Sequence, residues 1–243
     1  MLKHYKIFEN SLSDIDFKLI KIINTINPHS YCVAIKDEEF KNALIMSDIL
    51  LADGIGIVWA EKLIYRNKIK KIAGFDLFMF LMRKLNNEKG SVFFLGSNKK
   101  TLNSIKNKSA IEFPNVSVDF YSPPFKSEFS SKDSIEMCNA VNSVKPDVLF
   151  VGMTAPKQEK WVYVFKDKLE VRNVCCIGAA FDFYVGNVKR SSNFWINLGL
   201  EWLPRLIREP KRLFYRNFIS TPKFILEVLS FKITGKSILQ LFK

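Results

Sequence analysis

Residues 148–161 of the chain run Val-Leu-Phe-Val-Gly-Met-Thr-Ala-Pro-Lys-Gln-Glu-Lys-Trp, an apolar stretch directly before a helix start. A short run of Val, Leu and Phe that is bounded by Gly is typical of a strand buried on both faces. Pro156 and the polar residues after it predict the first turn of a helix, where a missing amide costs nothing. The stretch therefore predicts a strand, a glycine-containing turn and a helix, which is the repeating unit of a parallel sheet.

The same order of strand, turn and helix recurs along the chain. Apolar runs predict further strands at residues 49–52, 91–95, 116–121 and 174–178, and helical patterns are found at 37–47, 75–87, 99–110, 133–143 and 156–169. Near the amino terminus, the spacing of Ile15, Leu19, Ile22 and Ile23 predicts an amphipathic helix over 11–25, and a short strand is expected at 31–35. Apolar strands separated by helices imply a Rossmann-like α/β fold, a mostly parallel sheet with helices on both faces. Ligands of such sheets bind beyond the carboxyl ends of the strands, which indicates the loops 25–28, 53–56, 96–98, 152–158 and 179–186.

Basic residues are concentrated at the carboxyl-terminal end. The chain has 243 residues and a net charge of +13, and residues 186–243 hold eleven Lys or Arg against three acids. Aromatic and aliphatic residues alternate with these cations, and such a surface suits an anionic membrane face. We therefore divide the chain into a Rossmann-like catalytic body, residues 1–188, and a basic amphipathic membrane-docking appendage, residues 189–243.

Two spacings in the appendage predict helical faces. Trp195, Leu198, Trp202 and Leu206 lie three or four residues apart, as do Arg205, Arg208, Arg212 and Arg216. Pro210 disfavours a continuous helix and is better placed as the first residue of a new one, so the arginines are expected to span a bend. The alternative to membrane docking is a basic helical face that packs on its own body.

The composition disfavours several classes of chemistry. Only His4 and His29 are present, so a histidine-built zinc site or a Ser-His-Asp triad would have to use one of them. Asp14 and Asp16 form a DxD pair, but acids at a predicted helix start serve as caps. The chain shows no signal-peptide pattern, no stretch long enough to span a bilayer and no CxxC pair, which together indicate a reduced, cytoplasmic protein.

Three loops at the predicted ligand edge carry polar groups. Asp53 precedes Gly54 in a common turn pair, and a partly buried carboxylate at a strand end is also a candidate general base. The amides after Gly96 are candidates for holding a diphosphate at a helix start, although other strand-to-helix turns look similar. Gln158 stands in the first turn of a helix, beside a glycine-containing strand end, where capping does not account for it.

Seven strings occur along the chain in a recognisable order. They are Ala-Asp-Gly-Ile-Gly-Ile-Val at 52–58, Ala-Gly-Phe-Asp-Leu at 73–77, Phe-Leu-Gly at 94–96, the segment 152–161, Gly-Ala-Ala-Phe-Asp-Phe-Tyr-Val-Gly at 178–186 with Arg190 after it, Leu-Glu-Trp-Leu-Pro-Arg-Leu at 200–206 and Glu-Pro-Lys-Arg-Leu at 209–213. The combination resembles the WecG/TagA/CpsF family of bacterial glycosyltransferases, over most of the chain.

The resemblance implies an inverting transferase at the cytoplasmic membrane face, bound peripherally. Its substrates would be a UDP-sugar and undecaprenyl-diphosphate-linked GlcNAc, and the sugar moved would be N-acetylmannosamine or its uronic acid. No cofactor or metal is implied. Asp53 would be the catalytic base. The substrate-binding residues implied are Thr25, Asn27, Gln158, Arg205, Arg212 and Arg216, with the arginines facing a lipid diphosphate or the leaving UDP. Gly54, Lys71 and Gly96 are further candidates for substrate binding.

The chain departs from the family pattern at Lys71, where arginine is usual, and at His29, where glutamate is frequent. Lysine keeps the charge but lacks the bidentate fork that suits a diphosphate. A non-catalytic, membrane-recruited scaffold and a basic nucleic-acid-binding α/β protein are the alternatives. Because the excess charge lies in an amphipathic tail, we expect a membrane and not nucleic acid as partner. A homo-oligomer is left open.

Overall fold

A computed structural model describes residues 1–19 and 21–239, apart from the side chains of Asn193, Asn197 and Arg212. The predicted Rossmann-like architecture is confirmed. One sheet of six parallel strands has the order β2-β1-β6-β5-β3-β4. The strands are β1 (Ile22–Ile26), β2 (Ile49–Ala52), β3 (Ser91–Gly96), β4 (Ser117–Tyr121), β5 (Val148–Gly152) and β6 (Asn173–Cys176). Because all the strands run in one direction, their carboxyl ends share one edge of the sheet.

Eight helices belong to the described part of the body, and four follow in the appendage. The body has α1 (Pro28–Ala34), α2 (Glu38–Ile45), α3 (Ile55–Ala60), α4 (Gly74–Glu88), α5 (Lys99–Glu112), α6 (Ser131–Asn142), α7 (Lys157–Phe165) and α8 (Ala180–Val185). The appendage has α9 (Asn193–Asn197), α10 (Trp202–Arg208), α11 (Pro210–Phe214) and α12 (Thr221–Thr234). Short 3₁₀ turns lie at Leu12–Asp14 and Lys166–Lys168, and π-helical turns at Glu61–Tyr65 and Tyr215–Ser220.

Helices cover both faces of the sheet. On one face, α4, α5 and α8 bury an aromatic cluster that includes Phe78, Phe94 and Phe181. On the other face, α1, α2, α6, α7 and α12 pack over residues such as Leu50 and Val151. Each such fully buried side chain contributes about 1.5–3 kcal/mol. The apolar strand runs are therefore buried on both sides, as their composition predicts.

The last helix of the appendage packs into the body. Phe224 and Val228 of α12 are 1% and 7% exposed, and both lie in one hydrophobic cluster with Tyr31 and Ile57. The fully buried carboxylate of Glu227 accepts hydrogen bonds from the Tyr31 hydroxyl (3.4 Å), the Leu239 amide (2.9 Å) and the Ser237 hydroxyl. The appendage and the body thus share part of the core.

Two predictions near the amino terminus are wrong. The helix expected over 11–25 is replaced by a 3₁₀ turn and by β1, and Leu19, which was assigned to its apolar face, is 80% exposed. The first strand begins where the Asp48 carboxylate accepts the amides of Lys21 (2.9 Å) and Ile22 (2.8 Å).

The strand expected at 31–35 is instead the helix α1. Asn27 caps this helix, because its side chain accepts hydrogen bonds from the amides of His29 and Ser30 at 3.0 Å each. Pro28 stands at the first helical position, where its fixed φ favours a helix. These two local signals override the strand preference of Tyr31, Val33 and Ile35.

The single apolar helical face expected at residues 195–206 is also wrong. Helix α9 ends before Gly199, which has a φ of +72°, and α10 begins only at Trp202. A side chain at Gly199 would lie 3.3 Å from Ile55. The bend at Pro210 is confirmed, because Pro210 is the first residue of α11.

Candidate active site

A cavity of about 1130 Å³ lies at the carboxyl edge of the sheet. Residues near or after the carboxyl end of every strand line it: Thr25 within β1 and Asn27 after it, Asp53 after β2, Ser97 and Asn98 after β3, Ser122–Phe125 after β4, Gly152 at the end of β5 and Met153–Gln158 after it, and Ile177–Ala180 after β6. Glu201, Arg205 and Arg216 of the appendage complete the wall. All five loops predicted at the ligand edge contribute, and the loop after β4 is an additional one.

Asp53 lies at the cavity wall where β2 ends. Its amide donates to the carbonyl of Ile26 at 2.8 Å, which continues the pairing of β1 with β2. Gly54 then turns the chain with a φ of +108°, a conformation that residues with a side chain rarely adopt. The carboxylate is thereby held at the sheet edge, at the start of α3.

The surroundings of Asp53 favour proton transfer. Burial raises the pKa of Asp53, and the negative charge of Glu201 raises it further, while Arg216, Arg205 and Lys71 oppose the increase. A carboxyl group with a raised pKa is a stronger base than an exposed aspartate. The cations nearby can hold a phosphate or diphosphate close to this base.

Thr25 and Asn27 line the cavity from β1. The Asn27 side-chain oxygen is engaged in capping α1, so a ligand contact by this side chain would have to come from its Nδ2 donor. The helix cap and the predicted pocket position are therefore compatible at this residue.

Gln158 lines the cavity in the first turn of α7 and is only 2% exposed. Its Oε1 accepts the amide of Met153 at 3.0 Å, and its Nε2 donates to Oε1 of Glu159 at 2.8 Å. Glu159 is equally buried, and this burial raises its pKa to about 7. Gln158, a predicted ligand residue, is thus held by Glu159, which the sequence pattern explained only as an acid in the first turn of a helix.

Aromatic rings position two arginines at the cavity wall. The Arg205 guanidinium lies 4.9 Å from the Phe183 ring centre, and that of Arg190 lies 4.9 Å from the Phe75 ring centre. The two rings meet edge to face at 6.1 Å. Arg190 also donates to Asp76 at 2.7 Å. Such stacking orients a guanidinium and does not itself neutralise its charge, although Arg190 is also paired with the Asp76 carboxylate.

Arg216 is carried by the π-helical turn between α11 and α12. This turn is joined to the body by His29, whose Nδ1 lies 2.8 Å from Oγ of Ser220. Cys32 Sγ donates to the Ser220 carbonyl at 3.4 Å. Burial and the charge of Arg216 lower the pKa of His29, so the neutral ring is favoured. His29, which stands where the family frequently has glutamate, therefore contacts the appendage in the same turn that carries Arg216.

Three predicted substrate residues do not line the cavity themselves. Lys71 forms an ion pair with Glu201 at 3.1 Å, next to the wall. Gly54 turns the chain after Asp53. Gly96 allows close packing, because a side chain there would come within 2.5 Å of the Gly152 carbonyl oxygen. The lining in this loop is made by Ser97 and Asn98. The substrate contacts of Lys71, Gly54 and Gly96 stay predictions.

The side chain of Arg212 lies outside the described part of the structure, so its predicted role is untested.

Sequence reasoning missed Glu159, Glu201 and Phe183 as site residues, although all three stand inside the seven strings of the family resemblance. No pattern signals them one by one, because an acid near a helix start and an aromatic residue in a helix are common. Among residues 1–19 and 21–239, no group of three or more His, Cys, Asp or Glu is arranged to hold a metal ion.

A family model and several curated relatives match most of the chain. The model of the glycosyl transferase WecG/TagA/CpsF family matches residues 8–238. An N-acetylglucosaminyldiphosphoundecaprenol N-acetyl-beta-D-mannosaminyltransferase of Bacillus subtilis (strain 168) is 33% identical over 215 residues, 88% of this chain and 81% of that protein. A protein of the same name from Bacillus spizizenii is 32% identical, over 85% of this chain and 78% of that protein. One from Staphylococcus aureus (strain MW2) is 23% identical, over 79% and 73%.

Proposed function

The chain belongs to the WecG/TagA/CpsF family of glycosyltransferases, and from this premise we propose that it moves an N-acetylmannosamine-type sugar, or its uronic acid, from UDP to undecaprenyl-diphosphate-linked GlcNAc. The names of the relatives from two Bacillus species support both the sugar and the lipid-linked acceptor. The observation that carries the proposal is the position of Asp53 at the wall of a cavity that Arg205 and Arg216 also line, and burial raises the pKa of this carboxyl. Of the alternatives considered, the family favours neither the scaffold nor the nucleic-acid-binding protein.

The proposed reaction is a direct displacement that inverts the anomeric carbon. Asp53 removes the proton from the acceptor hydroxyl as that oxygen attacks the anomeric carbon. The bond from this carbon to the UDP oxygen breaks, and UDP leaves with the electron pair. A positioned general base contributes about 10²–10⁴ in rate.

Cationic side chains would stabilise the leaving diphosphate. Arg205 and Arg216 line the cavity, and Lys71 stands behind Glu201 at its edge. Charges that are held in place before the reaction stabilise the negative charge that develops on the leaving group. We propose that these residues suffice and that turnover needs no divalent metal, which the assay below tests with EDTA.

The appendage would hold the enzyme at the cytoplasmic membrane face. On α12, Leu226, Leu229 and Ile233 are spaced three and four residues apart and are 61%, 45% and 82% exposed, on the side opposite Phe224 and Val228. Lys223 and Lys232 of the same helix are also exposed. An apolar stripe with adjacent cations is typical of a helix that lies in a membrane interface. None of the described helices is long and apolar enough to cross a bilayer.

In this position the enzyme would act on a lipid carrier during the synthesis of a cell-surface polysaccharide or a teichoic-acid-type polymer. The long carrier would remain in the membrane while its diphosphate and sugar reach the cavity. A homo-oligomer stays a prediction, which the mass of the purified protein in solution would test.

The test of the proposed function is product formation from a panel of UDP-sugars and a lipid-diphosphate-linked GlcNAc analogue. Product with UDP-N-acetylmannosamine or its uronic acid, formed only with acceptor and also in EDTA, is the expected result. UDP release without a glycosylated lipid, or no release with any donor and anionic vesicles, would contradict the proposal.

A further inference from the structure

The side chains of Gln158 and Glu159 form a buried pair at the cavity wall. Both are 2% exposed, and both line the cavity. Gln158 uses its oxygen to accept the Met153 amide (3.0 Å) and its nitrogen to donate to Glu159 (2.8 Å). One N–H of the Gln158 amide is thereby used, and a second remains.

The two contacts allow only one orientation of the Gln158 amide. A rotation by half a turn would place its NH₂ group against the Met153 N–H, which is also a donor. It would also place the Gln158 carbonyl against the ionised Glu159 carboxylate, where two acceptors face each other. In a buried pair, such mismatched contacts are unfavourable because water cannot replace the lost hydrogen bonds. Glu159 and Met153 together therefore determine which end of the amide faces the ligand.

Gly178 leaves the nitrogen end of this amide uncovered by a side chain of its own. A side chain at Gly178 would have the Gln158 Nε2 as its one heavy-atom neighbour within 4 Å, at 3.9 Å. Gly178 itself lines the cavity and has a φ of +54°. With glycine at this place, no side chain of residue 178 stands between Nε2 and the cavity.

Stability does not account for a glutamate at position 159. Its Oε2 atom is buried and has no hydrogen-bond partner among the described residues. A buried carboxyl that lacks a cationic partner is unfavourable for folding, and an apolar residue would avoid this cost. Burial raises the pKa of Glu159 to about 7, in keeping with that cost.

We propose that Glu159 is a positioning residue that holds the Gln158 amide with an N–H toward the cavity, so that the site selects an acceptor oxygen of the donor substrate. The inference rests on the proposed function for the identity of that substrate, a nucleotide sugar. It predicts that Gln158 recognises its ligand by donating a hydrogen bond and does not accept one from it.

A double-mutant cycle tests the proposal. Glu159→Ala and Gln158→Ala are each expected to raise the KM for the UDP-sugar about tenfold with a smaller change in kcat. Because Glu159 acts through Gln158, adding Glu159→Ala to Gln158→Ala should change KM no further. Glu159→Gln keeps an acceptor oxygen for the Gln158 N–H, so its KM should lie close to that of the parent and well below that of Glu159→Ala. Independent effects of the two alanine substitutions, or an unchanged KM in Glu159→Ala, would overturn the proposal.

A second measurement does not depend on any substrate. In the ¹⁵N-labelled protein, the side-chain amide signal of Gln158, assigned by its loss in Gln158→Ala, should exchange slowly with solvent. Glu159→Ala should shift this signal and speed its exchange, and Glu159→Gln should preserve it. If Glu159→Ala leaves the signal unchanged, the positioning role is refuted even if the chain transfers no sugar. If the signal responds but no UDP-sugar is used, the proposed function fails and the positioning role stands.

Discussion

The ammonium group of Lys71 lies 3.1 Å from the carboxylate of Glu201, and this ion pair connects the body to the appendage beside Asp53. The Ser191 hydroxyl donates to the backbone carbonyl of Glu201 at 2.7 Å, which fixes the segment before α10. The two charges act on Asp53 in opposite directions, since Glu201 raises its pKa and Lys71 lowers it. An appendage residue thus helps to set the basicity of a body residue.

Substitution of either partner should shift the pH dependence of catalysis. Glu201→Gln removes a negative charge near Asp53 and lowers its pKa, so the acid limb of the kcat/KM profile moves to lower pH. Lys71→Met removes a positive charge and moves the same limb to higher pH. Steady-state rates from about pH 4 to about pH 9 would measure both shifts. Shifts of the same sign in the two variants would exclude this electrostatic role.

Asp53→Asn should abolish most of the turnover while the fold is kept. The amide cannot take up the proton of the attacking hydroxyl group, so kcat should fall by about 10²–10⁴. Affinity for UDP, measured by calorimetry, should remain, because the cations that face the diphosphate are unchanged. The matched control is Asp182→Asn, which changes another cavity aspartate that is bonded to Asn187 at 3.2 Å. Equal losses in the two variants would remove Asp53 as the base.

His29 should make the folded state less stable in weak acid. Burial and Arg216 lower its pKa below the usual value of 6.5. The unfolded chain therefore takes up the proton first, and this part of the stability is lost as the pH falls below about 6.5. In urea unfolding at about pH 7.5 and about pH 5.5, His29→Gln should lose less stability than the parent between the two pH values.

The His29 comparison uses the difference between the two proteins. Asp53 and Glu159, with raised pKa values, oppose the trend equally in both. Identical losses of stability in the parent and in His29→Gln would show that this histidine is not responsible.

The outer face of α12 should determine the binding to anionic vesicles. Replacing Leu226 and Ile233 together by serine removes two exposed apolar groups and should weaken co-sedimentation at least about tenfold. Ile111→Ser is a matched control, since Ile111 is 83% exposed on α5 of the body. Surface substitutions are preferable to deleting the appendage, because Phe224 belongs to the core. Undiminished binding by the double variant would refute docking through this face.

The fold could be predicted where one local signal was sufficient. Val148–Gly152 is apolar throughout and is buried throughout, so composition alone identifies β5. At residues 31–35 the side chains favour a strand, but the cap by Asn27 and the position of Pro28 start a helix. At Ile22 the helical spacing with Ile15 is accidental, because the strand is stabilised by Asp48, which is distant in sequence. Such long-range contacts have no signature in a local pattern.

The candidate site shows the same division. Thr25 lies near the end of β1, and Asn27, Asp53 and Gln158 follow strands whose ends meet at one edge, so their convergence could be expected from topology. The pairing of Lys71 with Glu201 could not, since 130 residues separate the partners. The stacking of Arg205 on Phe183 likewise depends on how the appendage folds back.

The two sides of α12 have a thermodynamic consequence. One side supplies Phe224 and Val228 to the cluster that contains Tyr31, in the helix that Asn27 caps, and the other side is open. Any partner that binds the open side only when the helix is folded stabilises the whole chain by mass action. If it also orders the cavity wall, adsorption and nucleotide binding strengthen each other by the same factor. Through this fourteen-residue helix, binding to the membrane surface would then raise the affinity for the nucleotide sugar, and binding of the sugar would raise the affinity for the membrane.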